Sequence, residues 1–234
     1  MTERPDPARE ILDEQQAYYR ERAPEYDEYF LRRGRYDEGP ERNQQWFAEG
    51  EEIRSVIASL TPRGDVLELA AGTGWWTPEL VKHARRVTAL DGAPEALAIN
   101  RKRVPVGAQI DYVVDDIFTW TPDRAYDAVF FGFWLSHVPP SLFETFWARV
   151  RGYLKPGGRA LFVDSLQPST AAVRAKEKGK AEVTVRRLND GREFRVVKIF
   201  YEPAALEARL RGLGWDAEVR ATANYFVWGS ARRP

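Results

Sequence analysis

From Val66 onward the chain alternates short apolar runs, rich in β-branched and aromatic residues, with stretches whose apolar positions recur every three or four residues. The first kind reads as strands at 65–69, 86–90, 110–114, 126–133, 159–163, 194–200 and 218–227. Between them, Thr77-Pro78-Glu79 reads as an N-cap, a proline at the first helical position and an acid at the positive helix end, opening a helix to about Ala84. Pro94-Glu95 opens a second helix in the same way. Leu142, Phe143, Phe146, Val150 and Leu154 share one helical face, which ends at Lys155-Pro156-Gly157-Gly158. Pro203, Leu206, Leu210 and Leu213 make a last amphipathic helix, closed by Gly214. This rhythm predicts an α/β fold, with a mostly parallel sheet and helices on both faces.

Ahead of the first strand, Trp46, Ile53, Ile57 and Leu60 form a helical stripe, so residues 1–60 are expected to be a helical cap on a domain spanning 61–234. Residues 167–181, which include AKEKGK, have few apolar anchors and are expected to form a mobile connection. The segment VTVRRLNDGREFRVV predicts a hairpin turning at Asn189-Asp190-Gly191. It would cover a substrate mouth, extend the sheet or form a homodimer edge.

Composition narrows the function. Hydrophobic residues make up 44% of the chain and aromatic ones 13%, enough for a buried sheet and an apolar pocket. Basic and acidic residues number 35 each, which leaves no net charge to draw in nucleic acid. Arg186, Arg187, Arg192 and Arg195 are read as a solvated hairpin face. The lack of cysteine excludes disulfides, thiolate metal sites and thiol nucleophiles, and no metal site is expected. The beginning MTERPDPAREILDEQQ has no apolar signal core and no long uncharged apolar run follows, so the expected setting is cytoplasmic, away from membranes.

Chemistry concentrates in VLELAAGTGWWT, a strand that runs into a glycine turn and then a helix. Gly72 and Gly74 lack a Cβ and can adopt positive φ, which lets a ligand approach the backbone. A purely structural turn would read the same way. Asp91 ends the second strand, where a carboxylate can accept from both hydroxyls of a ribose. Asp115-Asp116-Ile117 follows the third strand, where an acid can accept from an adenine amino group and Ile117 can offer its backbone N–H to the ring. Asp116 is preferred to Asp115 because it directly precedes the apolar residue.

Together these segments resemble the class I S-adenosylmethionine-dependent methyltransferases of the small-molecule branch, from about Tyr18 to the end of the chain. ELAAGTG is similar to that family's first motif, RVTALDGAPEAL to the second, DYVVDDIF to the third and YDAVFFGFWLSHVP to the fourth. LKPGGRALFVDS resembles the turn and strand that follow, and YYRERAPEYDEYF resembles the N-terminal lid helix. Ala70 stands where many members carry another glycine. The resemblance implies a Rossmann-like seven-stranded sheet of order 3-2-1-4-5-7-6 with its last strand antiparallel, for which 218–227 is the candidate. It also implies S-adenosyl-L-methionine as cofactor and S-adenosyl-L-homocysteine as product. The cofactor would be held by Glu68, Ala70, Gly72, Gly74, Asp91, Gly92, Asp115, Asp116 and Ile117, with Tyr19 and Tyr26 closing over it. Trp75, Phe133 and Trp134 would face the sulfonium or stack on a planar acceptor.

Methyl transfer from a sulfonium needs positioning above all, and a base only if the acceptor must lose a proton. His137 is the candidate base because free imidazole titrates near neutrality, with a structural histidine as the alternative. Asp164, at the end of the fifth strand, would orient a substrate or cap a turn. His83 is read as structural. Two other functions stay open: a non-catalytic or regulatory protein of the same fold, and an NAD-dependent oxidoreductase. The latter is weakened by Thr77 at the third glycine position of G-x-G-x-x-G. The small-molecule acceptor and its attacking atom, whether O, N, C or S, stay undetermined.

Overall fold

The strands nearest the centre of the sheet are buried almost without a break, because helices cover both of their faces. A computed structural model describes residues 7–166 and 183–234. The expected mobile connection at 167–181 lies outside the described residues. In chain order the helices are α1 (Pro7–Arg22), α2 (Asp27–Phe30), α3 (Pro40–Leu60), α4 (Thr77–His83), α5 (Pro94–Arg103), α6 (Phe143–Tyr153) and α7 (Pro203–Gly212). The strands are β1 (Asp65–Leu69), β2 (Arg86–Asp91), β3 (Ile110–Val114), β4 (Tyr126–Gly132), β5 (Leu154–Ser165), β6 (Val183–Arg187), β7 (Glu193–Val197), β8 (Asp216–Ala221) and β9 (Phe226–Arg232).

Seven strands form one sheet of order β3-β2-β1-β4-β5-β9-β8, in which β9 runs antiparallel to both neighbours. This is the expected Rossmann-like order, with β8 and β9 standing for expected strands 6 and 7. Successive residues of the central strands serve opposite layers. Leu67, Leu69, Val129 and Phe131 pack with Phe146, Trp147 and Val150 of α6 and with Leu206 and Leu210 of α7. Val66, Ala128 and Phe130 pack on the other face with Trp46, Ile53 and Ile57 of α3 and Leu80 of α4.

Three expectations need correction. The 218–227 segment is two strands, β8 and the start of β9. The buried Glu49 carboxylate of α3 gathers the Thr222 hydroxyl, the Asn224 side-chain amide and the Tyr225 N–H, and so pins a turn in its middle. The 194–200 segment does not join the main sheet: β7 pairs antiparallel with β6 as a separate hairpin, with Gly191 at φ +93° in its turn. Thr77 does not act as an N-cap. Trp76 holds that position, and the Thr77 hydroxyl instead donates to Glu68 at 2.7 Å. Among the described residues no helix is long and apolar enough to cross a membrane.

Candidate active site

The strand order reverses between β1 and β4, and there the segments leaving β1, β2, β3 and β4 open a cavity of about 870 Å³. The turn after β1 is held from beneath by Asn100 of α5. Its amide donates to the Thr77 hydroxyl at 2.9 Å, and Tyr112 donates to its carbonyl oxygen at 3.1 Å. A Cβ on Gly74 would lie 2.6 Å from the Asn100 side chain, and φ there is +84°. Gly74 therefore serves the packing of this loop. Ala70 and Phe133, which follow β1 and β4, both have positive φ, +52° and +55°. That conformation is strained for a side-chain-bearing residue, and both residues line the cavity.

Of the residues singled out in the sequence, Tyr19, Tyr26, Ala70, Gly72, Asp91, Gly92, Asp116, Ile117, Phe133, Trp134 and His137 line this cavity. Asp91 accepts the Gly72 N–H on one oxygen and the Ala93 N–H on the other, each at 2.8 Å. Burial raises its pKa against the pull of those two bonds. Asp116 accepts the Phe118 N–H and a 2.8 Å bond from Arg9 of α1.

Glu68, Gly74, Trp75, Asp115 and Asp164 do not line it. Glu68 is 2% exposed and turned to Thr77, and burial pushes its carboxyl up to about 8 despite that bond. Trp75 lies outside, stacked on Phe30 with ring centroids 4.5 Å apart. Asp115 is exposed and accepts the Asp116 N–H. Asp164, 1% exposed, accepts N–H bonds from Ser136 and Ser165 and pairs with Lys198 at 3.3 Å. The turn-capping alternative therefore describes it better than contact with substrate.

The N-terminal helix covers the opening. The Gly92 carbonyl accepts from Gln16 and from two nitrogens of Arg20, at 3.1–3.3 Å. A Cβ on Gly92 would lie 2.5 Å from Gln16 Nε2, so the Gln16 amide would have to swing aside to admit one. On its other side α1 rests on the hairpin, where Tyr18 is buried with Leu188 and Val196. Gln15, Gln16, Thr73 and Phe118 also line the cavity and escaped the sequence reading. Asn100 had one usable signal, a polar residue on the otherwise apolar buried face of its helix.

A family model for the methyltransferase domain matches residues 66–158. The ubiquinone biosynthesis O-methyltransferase of Xanthomonas axonopodis pv. citri (strain 306) is 32% identical over 206 residues, 82% of this chain and 83% of that protein. The chain belongs to the class I S-adenosylmethionine-dependent methyltransferases. Another ubiquinone biosynthesis O-methyltransferase, from Xylella fastidiosa (strain 9a5c), is 34% identical over 173 residues, 72% of this chain and 67% of that one. Among solved structures, the DhpI–SAM–HEP complex is 40% identical with a TM-score of 0.77, covering 96% of this chain and 98% of that one. The methyltransferase therefore uses S-adenosylmethionine and acts on small molecules.

In this methyltransferase a second cavity, of about 500 Å³, adjoins the first and shares Tyr19, Tyr26, Phe133 and His137 with it. His137 Nδ1 lies 2.6 Å from the Val197 carbonyl. A carbonyl can only accept, so Nδ1 carries the proton; Nε2 of the neutral ring then accepts from the Tyr19 hydroxyl at 2.8 Å. Burial, reinforced by the Lys198 charge, pushes the His137 pKa down to about 3. The expectation of a base rested on an imidazole titrating near neutrality. Burial removes that premise.

Proposed function

We propose that this methyltransferase seats S-adenosylmethionine in the first cavity, with the ribose on Asp91 and the adenine beside Asp116 and Ile117, and that a small acceptor occupies the second. The observation that carries the reading is Asp91, at the end of β2. Its two oxygens each take one backbone N–H, and each keeps a lone pair for a further donor. Two adjacent hydroxyls match that capacity, which supports a ribose. Gly72, at positive φ, leaves backbone along one wall with only the Ala70 methyl beside it, and Phe133 and Trp134 supply an aromatic one.

When bound, S-adenosylmethionine supplies an electrophilic methyl on a sulfonium. The chain's own task is to position the acceptor and exclude water. Helix α1, latched on Gly92, supports the second role; Tyr19, Tyr26, Phe133 and His137, shared by both cavities, support the first. DhpI is described with SAM and HEP together, and that relative's 40% identity supports two adjoining seats here. The Xanthomonas and Xylella relatives are O-methyltransferases, which supports oxygen as the accepting atom.

Calorimetry tests the donor seat. S-adenosylmethionine and S-adenosylhomocysteine are expected to bind without added metal, and NAD is not. Asp91→Ala should weaken both by about 1.5–3 kcal/mol, the usual loss for hydrogen bonds to a charged group. An unchanged dissociation constant in a folded Asp91→Ala protein would remove Asp91 from the seat.

A further inference from the structure

The second cavity has a charge arrangement unlike the rest of the hairpin. Elsewhere on the hairpin, arginines are matched: Arg187 pairs with Glu193, Arg192 with Glu21 and Asp190, and Arg195 with Glu10 and Glu14. Within the cavity wall, Lys198 is likewise matched by Asp164.

Arg22 and Arg186 break this rule. Arg22 is 8% exposed and lines the cavity, and among the described residues no carboxylate pairs with it. Its guanidinium is caged by the rings of Tyr18, Tyr26 and Tyr36, at 5.5, 4.8 and 5.8 Å from their centroids. One nitrogen donates to the Tyr36 hydroxyl at 2.8 Å, while Nε is buried without an acceptor. Half-buried Arg186 lines the same cavity and also has no carboxylate partner among the described residues. A buried cation without a counter-charge is destabilising, so a chain that matches its other arginines here has reason to leave these two open for a ligand.

The rest of the wall agrees with an anion. The phenols of Tyr19, Tyr26 and Tyr29 stay protonated, because burial holds their pKa values above the usual range. Tyr19 gives its proton to His137, so Tyr26 and Tyr29 are the phenols available as donors.

Resting on the donor seat described above, we propose that the acceptor is a small organic acid whose oxyanion meets Arg22 and Arg186, and that the enzyme esterifies that oxygen. A carboxylate, a phosphonate and a phosphate monoester share the necessary chemistry. An oxygen lone pair forms the O–CH3 bond as the C–S bond breaks, and the electron pair of that bond passes to sulfur. The sulfonium and oxyanion charges cancel and no proton moves. The acceptor arrives already ionised, so the reaction needs no base, in keeping with the buried neutral ring of His137.

The test uses the full chain loaded with S-adenosylhomocysteine and titrated calorimetrically with propionate, ethylphosphonate and ethyl phosphate, with catechol as a neutral control. At least one acid should bind while catechol does not, and which acid binds identifies the oxyanion. Arg22→Gln and Arg186→Gln should each weaken that acid tenfold or more and keep S-adenosylhomocysteine within twofold. With S-adenosylmethionine, the bound acid should yield its methyl ester. Arg186 lies on a hairpin strand, so Arg186→Gln decides the matter if Arg22→Gln fails to fold. Acids that do not bind the loaded protein, acids held equally by the variants, or methylation of catechol or of a hydroxyl in place of the oxyanion would each overturn the proposal. Failure of S-adenosylhomocysteine itself to bind is a separate result, and it would remove the donor seat and this inference together.

Discussion

His137 enters the folded state as a neutral ring, because burial and the nearby Lys198 ammonium both oppose a proton on it. The unfolded chain has no such opposition and takes up a proton as pH falls through 6.5. Between that value and about 3 the unfolded state therefore binds more protons, and stability falls with pH over the window. The slope approaches about 1.4 kcal/mol per pH unit for one fully uncoupled group. His137→Gln keeps a donor for the Val197 carbonyl and an acceptor for Tyr19, but has nothing to titrate. Thermal melts from pH 7 to 5 should show a shallower loss in this variant than in the wild type, and parallel curves would contradict the buried neutral ring. Wild-type turnover should also lack an inflection between pH 6 and 8 that His137→Gln removes. The position of His137 near the site was legible from the strand before it. Its protonation was not, because Val197 and Tyr19 lie 60 and 118 residues away along the chain.

At the scale of elements, α1 is held by two unlike sets of contacts. Toward the donor seat it uses Arg9 on Asp116 and Arg20 on Gly92, both exposed contacts of a kind worth about 0–1 kcal/mol. Toward the hairpin it uses Gln15, whose amide is buried between the His137 carbonyl at 3.1 Å and the Val197 N–H at 3.0 Å. The weak set suits a cover that must lift for each ligand, while the buried set suits a hinge that stays put. Arg20→Ala should speed S-adenosylhomocysteine release by about two- to tenfold, the range of a contact of that size, and leave the melting temperature nearly unchanged. Gln15→Ala strands a buried donor and a buried acceptor and should cost about 1–3 kcal/mol of stability. Stopped-flow release and thermal melts on the two variants check the division, and the same profile from both would reject it.

Across the whole molecule the N-terminal segment does more than cover the site. Phe30, Trp46, Ile53 and Ile57 are buried in one cluster with Val66, Ala128 and Phe130 of the sheet. At about 1.5–3 kcal/mol for each such side chain, their loss is comparable to the ~5–15 kcal/mol that holds a domain folded. A chain beginning at residue 61 should therefore lack a cooperative melt, whereas one beginning at residue 24, which keeps α2 and α3, should retain it. A folded 61–234 fragment would show instead that the sheet and its other helices suffice.

Local pattern was enough to place most central strands, the glycine turn and Asp91. Parallel strands covered on both faces must be apolar throughout, and a turn at positive φ favours glycine wherever it occurs in the chain. These are local demands, and local pattern records them. Tertiary structure decided what depends on partners far along the chain. Glu49 divided an apparent strand at 218–227 by anchoring Asn224 and Tyr225 from 175 and 176 residues away. The edge pairing of the sheet went to β8 and β9, while 194–197 became part of a support for α1. Burial turned Glu68 away from the cavity and set its proton affinity. Arg22 and Arg186, unremarkable in a chain with 35 basic residues, came to face one cavity without counter-charges among the described residues. Charge and burial depend on everything within a few ångströms, and the fold alone chooses those neighbours.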